Sequence, residues 1–385
     1  MKHYYFDNPV KRILARGIDW AGYTLSRPRQ NFPVKDGTIK KILLIRLDHI
    51  GDVLMTTPAI RALRKKFPAA EIHLLVREAT APAVAGNPYI DRIITLNAPW
   101  TTPGPKKASR GDVRKLTGRL KAEGYDCVVG FRADLREALL IGKTAAPVRI
   151  GFGARGGGFS LTHPAEFEPD AHEIIRALGL LVPLGVPADG EEMDFFLSEA
   201  ERKKGAEILN TVLAENGRKL VGIHPGAASS LKRWSDSGFA RLADLLSQSG
   251  FRVILLGAES DRELLERIRR MMTASIPVVS DIGLRILGAV IDKLDLLVGN
   301  DSAPVHLARA VGTPSLTLFG PTHEEITGPL DREKHAVIRS PVGCSPCWRP
   351  GTKFRCRFDQ RCWEELEAEE VAAAAVRLIS DNCAP

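Results

Sequence analysis

The sequence predicts an α/β protein with two doubly wound, parallel-sheet domains that face each other across a cleft. Apolar runs of strand length alternate with amphipathic helical segments, a pattern typical of parallel sheets with helices on both faces. Turns with Gly and polar residues follow the strands, so we expect the polar side chains at one edge of each sheet. A chain of 385 residues is also too long for one typical hydrophobic core.

The domain boundaries are placed at breaks in composition. Residues 1–38 are predicted to be an N-terminal appendage, 39–190 the first domain and 191–385 the second. The break between the domains is a stretch rich in Gly, Pro and acidic residues, Gly185–Glu192.

The net charge of +8 and the pI of about 9.2 make the chain modestly basic. Solubility explains this excess of cations, and so does attraction to a nucleotide diphosphate, a phosphorylated glycolipid or an acidic membrane face. Only the charge suggests a nucleic acid, and we predict no such partner. The sequence has no apolar run long enough to span a bilayer and no secretory signal, so we expect a cytoplasmic protein.

The appendage contains a predicted helix with apolar residues at helical spacing. These are Val10, Ile13, Leu14, Gly17, Ile18, Ala21 and Leu25. Lys11, Arg12 and Arg16 fall on the other face, and Trp20 and Tyr23 add aromatic rings. Such a helix lies on an anionic membrane surface or packs on its own domain, and we favour packing.

A strand-to-helix turn in the first domain contains Gly51 and Asp52. It lies between the apolar run Ile39–Leu47 and a helix that includes Ile60–Phe67. Gly51 permits close approach of the backbone to a ligand, and Asp52 projects from the start of the helix. From this segment alone, a carboxylate that caps the helix or complements its dipole is the favoured explanation of Asp52. The turn lacks the G-x-G-x-x-G pattern of dinucleotide sites.

Two stretches of the first domain predict irregular loops. Thr101–Gly111 is rich in Pro, Gly, Lys and Ser, and Arg149–Ser160 holds five glycines and two arginines. We predict that Arg149–Ser160 is too rich in glycine for regular structure. It would form a flexible loop that faces the cleft and binds an acceptor.

In the second domain, the strand Lys219–Ile223 leads into a loop with Lys232. A flexible ammonium suits the oxygens of a diphosphate, although solvated basic loops are abundant. Glu259 and Asp261 follow the strand Phe251–Leu256. Carboxylates there suit ribose hydroxyls, and they equally suit the N-terminus of the next helix.

The most informative stretch is Gly299–Thr322, which predicts a β-α-β unit. Its helix, Ala303–Val311, ends at a glycine and has Asp301 as the predicted N-cap. The helix N-terminus has unpaired N–H groups and the positive end of the helix dipole, so it suits a phosphate. The simpler alternative is that Asp301 and Ser302 only cap the helix and that His306 only packs.

Four of the six cysteines are clustered as C-x2-C-x8-C-x5-C. The clustered residues are Cys344, Cys347, Cys356 and Cys362. In a cytoplasmic protein such a cluster indicates either a structural zinc site or reduced thiols in a loop, and the sequence favours neither.

Four segments occur in the order seen in family 9 glycosyltransferases: IRLDHIGDVLMTTPAIRALRKKFPAAEIHLLV, HPGAASSLKRWS, GAESDRE and GNDSAPVHLARAVGTPSLTLFGPT. From Ile39 onward the chain resembles the ADP-heptose:lipopolysaccharide heptosyltransferases of Gram-negative bacteria. The resemblance implies a GT-B fold and an inverting sugar transfer that uses no metal or other cofactor in catalysis. It also implies ADP-heptose as donor, a lipid-linked core saccharide such as the lipopolysaccharide inner core as acceptor, and peripheral contact with the inner membrane.

The resemblance further implies roles for individual residues. Asp52 corresponds to the base that deprotonates the acceptor hydroxyl, and Lys232 to the lysine that neutralises charge on the leaving diphosphate. Asp301 resembles a contact to the donor sugar, and Ser302 with adjacent backbone N–H groups would hold phosphate. The other residues of the predicted donor site are Gly51, Asp261, Ile282, His306, Gly320, Pro321 and Thr322.

The long appendage departs from family members whose GD strand starts at the first residue. The acceptor could therefore be a different polysaccharide, and the donor another nucleotide sugar. An epimerase or hydrolase on the same fold is a further alternative, as is a catalytically inactive module that binds a nucleotide sugar. The presence of both Asp52 and Lys232 argues against an inactive module.

Overall fold

The structure is a computed structural model that describes residues 4–5, 8–26, 30–35, 37–101, 107–213, 217–348 and 355–382. The chain divides into two compact units, Met1–Glu191 and Glu192–Pro385, which we call the N-terminal and C-terminal units. Within the described ranges, no helix combines the length and the apolar character needed to cross a bilayer.

The N-terminal unit contains a parallel six-stranded sheet in the order β3-β2-β1-β4-β5-β6. The strands are β1 (Lys41–Arg46), β2 (Glu71–Val76), β3 (Arg92–Thr95), β4 (Cys127–Gly130), β5 (Val148–Phe152) and β6 (His163–Ala165). The helices are α1 (Pro9–Ser26), α2 (Ile50–Leu54), α3 (Thr57–Lys66), α4 (Arg110–Ala122), α5 (Leu135–Lys143) and α6 (Glu173–Gly179).

The C-terminal unit contains a second parallel six-stranded sheet, in the order β12-β11-β10-β7-β8-β9. The strands are β7 (Leu220–His224), β8 (Arg252–Leu256), β9 (Val278–Val279), β10 (Leu296–Asn300), β11 (Ser315–Leu318) and β12 (His335–Ile338). The helices are α7 (Glu199–Val212), α8 (Asp236–Gln248), α9 (Arg262–Met271), α10 (Leu284–Ile291), α11 (Ala303–Val311), α12 (Glu324–Thr327), α13 (Arg361–Glu364) and α14 (Ala368–Asp381).

Both sheets share one strand order, in which the first strand of the unit lies between its second and fourth strands. The central strands are buried on both faces, as residues 42–45 of β1 are 0% exposed, which explains their continuous apolar sequence. The strand order reverses between β1 and β4 and between β7 and β10, and ligands of open α/β sheets bind beyond the strand ends at such points. The predicted doubly wound α/β class is confirmed.

The predicted helix over Ala303–Val311 is confirmed with those bounds. Gly312 ends it with a φ of 83°, a conformation that glycine adopts without strain. Of the predicted loop Thr101–Gly111, residues 102–106 lie outside the described ranges, and α4 already begins at Arg110.

The prediction that Arg149–Ser160 lacks regular structure is wrong. Its first residues belong to β5, and Gly158–Ser160 forms a 3-10 turn. Gly156 and Gly157 have φ values of 89° and 84°, and the N–H of Gly157 donates to Asp19 Oδ1 at 2.6 Å. The glycines thus form a tight turn against α1, which the composition did not reveal.

Helix α1 packs against the rest of the N-terminal unit, as the favoured alternative predicted, but not through the face that carries its large apolar residues. Ala15 and Asp19 are buried, and a Cβ added at Gly22 would lie 2.2 Å from the ring of Phe159. The large apolar residues at helical spacing are exposed instead. The helix was therefore predicted correctly, but its buried face was not.

Candidate active site

The GD turn of the N-terminal unit places Asp52 at the third position of α2. Its Oδ2 accepts a hydrogen bond from the backbone N–H of His49 at 3.1 Å and lies 3.3 Å from His49 Nδ1. This is the capping role that the sequence allowed. Gly51 is buried inside the same short helix.

The other oxygen of Asp52, Oδ1, lies 3.3 Å from Nη2 of Arg46. Arg46 is the last residue of β1 and is 4% exposed. Its guanidinium also donates to the Phe131 carbonyl at 2.7 Å and to Glu173 Oε2 at 3.1 Å. Sequence reasoning missed Arg46 and Glu173, because nothing in an apolar strand or in α6 indicates that these two charges meet.

These contacts fix the charge of Asp52. Burial acts to raise the pKa of Asp52, but the hydrogen bond from His49 and the positive charge of Arg46 outweigh it and hold this pKa well below its usual range. The carboxylate is therefore ionised at neutral pH. Its side chain is 25% exposed, so the carboxylate remains accessible from solvent.

In the C-terminal unit, Lys232 and Asp301 form a close ion pair with 2.6 Å between Nζ and Oδ2. Lys232 ends a 3-10 turn, Ser230–Lys232, that follows β7, and Asp301 directly follows β10. The Asp301 side chain is only 6% exposed and also accepts a hydrogen bond from Thr322 Oγ1 at 2.9 Å. The structure thus brings Lys232, predicted to be catalytic, together with Asp301 and Thr322, which were predicted for the donor site.

The prediction that Asp301 caps α11 is wrong, because the N-cap is Ser302 and its side chain makes no capping hydrogen bond. The backbone N–H of Asp301 extends the sheet by donating to Leu318 O at 3.1 Å. Since Asp301 precedes the helix, its side chain turns towards His306, whose Nε2 lies 3.7 Å from Oδ1. Asp301 and His306 are five positions apart, which on a regular helix would put them on different faces, but here their side chains lie close together.

His306 is buried and neutral. Burial and the charge of Arg309 lower its pKa to about 4, although Asp301 acts in the opposite direction. Arg309 Nη2 contacts His306 Nδ1, so Nδ1 is the acceptor and the proton is assigned to Nε2 on the Asp301 side. In turn, burial acts to raise the pKa of Asp301, but Lys232 and His306 hold it far below its usual range.

This histidine predicts a pH dependence of folding. The folded protein binds the His306 proton less well than the unfolded chain, with pKa values of about 4 and 6.5, so the free energy of unfolding should fall as the pH falls from 6.5 to 4. The shift corresponds to about 3 kcal/mol for a buried group. Denaturant titrations across this range should give a flatter profile for His306→Gln. His49→Gln is the control, since the pKa of His49 is raised by its hydrogen bond to Asp52, and an equally flattened control profile would contradict the assignment.

The N-terminus of α11 meets the requirement for an anion site only in part. Ser302 Oγ is buried and has no hydrogen-bond partner among the described residues. Pro304 occupies the first turn and brings no N–H, so the backbone donors there belong to Ser302, Ala303 and Val305. The role of Ser302 in holding phosphate stays a prediction.

Two residues outside the predicted site position the Lys232 turn. Asn300 is 0% exposed, its Oδ1 accepts from Trp234 N at 3.0 Å, and its Nδ2 donates to Pro225 O at 2.7 Å. Trp363 Nε1 donates to the Leu231 carbonyl at 2.9 Å. For Asn300, the signal available in the sequence was a polar amide at the end of an apolar strand. Trp363 gave no such signal, because it is 132 positions from Leu231 in the sequence.

Gly320 and Pro321 have structural contacts in this unit. A Cβ at Gly320 would lie 2.3 Å from the Trp363 ring, so only glycine fits there. The Gly320 carbonyl accepts from Ser345 Oγ at 2.6 Å, and the Pro321 carbonyl accepts from the backbone N–H groups of Cys347 and Trp348. Their predicted role in donor binding is untested.

Asp261 and Ile282 belong to other turns of the C-terminal unit, and Asp261 Oδ2 lies 3.9 Å from Nε2 of His224, the last residue of β7. Asp261 Oδ2 accepts from Ala258 N at 3.1 Å and so closes the turn before α9, which is the alternative that the sequence left open. Asp261 follows β8, two strands from β10 in the sheet, and Glu259 is exposed and paired with Arg262. Ile282 is half-buried just before α10. The contact of Asp261 with a ribose and the place of Ile282 in the donor site stay predictions.

The clustered cysteines lie near one another, but a structural zinc site at these residues stays a prediction. Burial and the other three thiols raise the pKa of Cys362 to about 11. Cys356 Sγ accepts backbone N–H groups from Phe358 at 3.5 Å and Gln360 at 3.2 Å, contacts that fit a metal-bound thiolate. Among the described residues, however, no group of three or more His, Cys, Asp or Glu is arranged to hold a metal, and residues 349–354 lie outside that set.

The chain is similar to known glycosyltransferases over most of its length. The profile described as Glycosyltransferase family 9 (heptosyltransferase) matches residues 113–357. Lipopolysaccharide heptosyltransferase 3 of Escherichia coli (strain K12) is 31% identical over 342 residues, which cover 86% of this chain and 96% of the relative. Lipopolysaccharide heptosyltransferase 1 of Pseudomonas aeruginosa is 25% identical over 352 residues, with the same coverage of 86% and 96%.

Solved structures show the same fold. The family 9 glycosyl transferase of Veillonella parvula superposes with a TM-score of 0.76 at 24% identity, covering 89% of this chain and 97% of that one. The E. coli ADP-heptose lps heptosyltransferase II superposes with a TM-score of 0.71 at 22% identity, covering 89% and 100%. These likenesses confirm the predicted GT-B class.

Proposed function

The chain belongs to glycosyltransferase family 9, and from that membership we propose that it transfers heptose from ADP-heptose to a lipid-linked core saccharide of the lipopolysaccharide type. The observation that carries the proposal is the ion pair of Lys232 with the buried Asp301 beside the N-terminus of α11. It sits where the order of the sheet reverses, which is where open α/β sheets bind nucleotides. The donor's diphosphate would bind there.

In the proposed reaction the acceptor hydroxyl oxygen attacks the anomeric carbon from the side opposite the diphosphate. The bond from that carbon to the diphosphate oxygen breaks, its electron pair leaves with ADP, and the hydroxyl proton passes to Asp52. Attack from the opposite side inverts the anomeric configuration. Because the pKa of Asp52 is low, the carboxylate would accept the proton only as the new bond forms and acidifies the hydroxyl.

Lys232 would neutralise the charge that develops on the departing diphosphate. An ammonium has three N–H donors, so the bond to Asp301 does not exhaust it. Asp301 would orient Lys232 and contact the sugar, while the backbone donors of α11 would add a fixed positive potential. This arrangement supports a transfer that needs no metal, since the cation at the leaving group belongs to the chain.

The proposed acceptor is a saccharide attached to a lipid. Its lipid part stays in the membrane during transfer, so the enzyme would act at the cytoplasmic face of the inner membrane through peripheral contact. The E. coli and P. aeruginosa relatives are described as lipopolysaccharide heptosyltransferases, which supports this class of acceptor.

The choice of donor is tested by calorimetric titration with ADP, UDP and GDP. We expect ADP to bind at least about tenfold more tightly than the other two, a difference of about 1.4 kcal/mol. Preference for UDP or GDP would retain the transferase and reject ADP-heptose as donor. Absence of binding by all three would contradict the proposed site.

A further inference from the structure

Helix α1 is fixed to the N-terminal unit by a narrow, small-residue face. Asp19 accepts hydrogen bonds from Tyr4 Oη at 2.7 Å and from Gly157 N at 2.6 Å, and it is buried. Ala15 is buried beside it, and Gly22 lies directly on the ring of Phe159. These contacts hold the helix by its least apolar side.

The opposite side of α1 exposes a continuous apolar stripe. The side chains that line it, with their exposed fractions, are Val10 (60%), Ile13 (67%), Leu14 (59%), Ile18 (41%) and Leu25 (86%). They recur at three-, four- and seven-residue spacings, which place side chains on one face of a helix. Trp20 is also 74% exposed. An exposed stripe of this kind marks an interaction surface.

The charges of α1 indicate what covers the stripe. Lys11, Arg12 and Arg16 are exposed along the helix. Its sequence has one acidic residue, Asp19, and that carboxylate is buried in the contact with the N-terminal unit. The exposed surface of α1 therefore combines apolar side chains with cations and lacks exposed carboxylates.

We propose that α1 docks on an anionic lipid bilayer, lying in the plane of the membrane with its apolar stripe in the headgroup region. An apolar stripe beside basic residues, with a tryptophan at the boundary, is the composition of helices that lie in membrane interfaces. A second copy of the chain fits less well, because paired α1 helices would bring their cations together. The inference is linked to the proposed function, since docking would hold the enzyme where a lipid-linked acceptor resides, but it is tested without substrate.

The test is cosedimentation of the full chain with vesicles. Wild-type protein should bind mixed phosphatidylcholine–phosphatidylglycerol vesicles, and Ile13→Asp/Leu14→Asp should reduce the partition coefficient at least about tenfold, because two buried apolar contacts are replaced by charges that anionic lipid repels. The matched control is Ile175→Asp/Val182→Asp, which changes two exposed apolar residues of the same unit outside α1. Equal loss of binding in both double variants, or unchanged binding in the α1 variant, would overturn the proposal.

A second variant tests how much the basic residues of α1 contribute to vesicle binding. Near an anionic surface each basic residue contributes about fivefold to binding, so Lys11→Gln/Arg12→Gln/Arg16→Gln should weaken it by about 100-fold. Wild-type binding to pure phosphatidylcholine should be correspondingly weak, and equal binding to both vesicle types would overturn the anionic-lipid assignment.

Sedimentation velocity without lipid tests whether a second copy of the chain covers the stripe instead. A wild-type dimer that is lost in Ile13→Asp/Leu14→Asp would show that α1 is a contact between copies and would overturn the proposal. Nucleotide titration of the same variants should match the wild type, so that failed docking is distinguished from failure of the proposed transfer.

Discussion

Asp52→Asn should lower kcat for sugar transfer by about 10²- to 10⁴-fold while leaving ADP affinity within about twofold of the wild type. The amide keeps the shape of the side chain and removes the basic oxygen that would take the acceptor's proton. Donor binding should survive, because the diphosphate is assigned to the Lys232–Asp301 pair of the C-terminal unit. Steady-state kinetics and calorimetry on the same preparation measure the two effects.

The control for this prediction separates catalysis from helix capping. Asp112 is the third residue of α4 and accepts from the N-cap N–H of Ser109 at 2.8 Å, just as Asp52 accepts from His49. Asp112→Asn therefore removes a matched capping carboxylate without touching the GD turn, and it should leave kcat unchanged. If Asp52→Asn loses transfer and ADP binding equally, Asp52 is not the base.

Lys232→Ala should weaken ADP binding by about 10- to 100-fold, because it removes a charge-assisted contact to the diphosphate. The same variant leaves Asp301 buried without its cation, which should lower the free energy of unfolding by about 1–3 kcal/mol. Calorimetry and denaturant titration measure the two effects separately. Both effects are expected because the proposed site uses one ammonium to bind the diphosphate and to neutralise Asp301.

Two variants distinguish these roles. Lys219→Ala breaks the Lys219–Asp295 pair, which has 2.8 Å between Nζ and Oδ1 in the same unit, and should not change ADP affinity. Lys232→Ala/Asp301→Asn removes both charges of the candidate pair, so it should recover part of the lost stability while ADP affinity stays low. Recovery of affinity in this double variant would show that Lys232 only compensates Asp301 and does not contact the diphosphate.

The fold could be predicted from sequence because its signals are local. Buried parallel strands appear as continuous apolar runs, and β1 and β10 follow that rule. The turn at Gly312 and the capping box at Ser198 depend on the conformational preferences of single residues. Such features need no knowledge of distant partners.

The errors concern contacts between residues far apart in sequence. The contact of Arg46 with Glu173 spans 127 positions, and that of Asp19 with Gly157 spans 138 positions. Asp301 was predicted to cap α11 because the sequence places it beside the helix. Its carboxylate pairs instead with Lys232, which follows another strand of the sheet. The face of α1 was misjudged for the same reason, since the pattern of apolar residues shows a stripe without showing what lies against it.

The proposed sugar transfer is tested most directly by measuring ADP release from ADP-heptose with and without a deacylated lipopolysaccharide core saccharide, followed by NMR of the product's new glycosidic linkage. We expect ADP release that requires the saccharide, a product whose anomeric configuration is inverted, and an unchanged rate after treatment with a chelator. Retained configuration, or ADP release at the same rate without the saccharide, would contradict an inverting transferase.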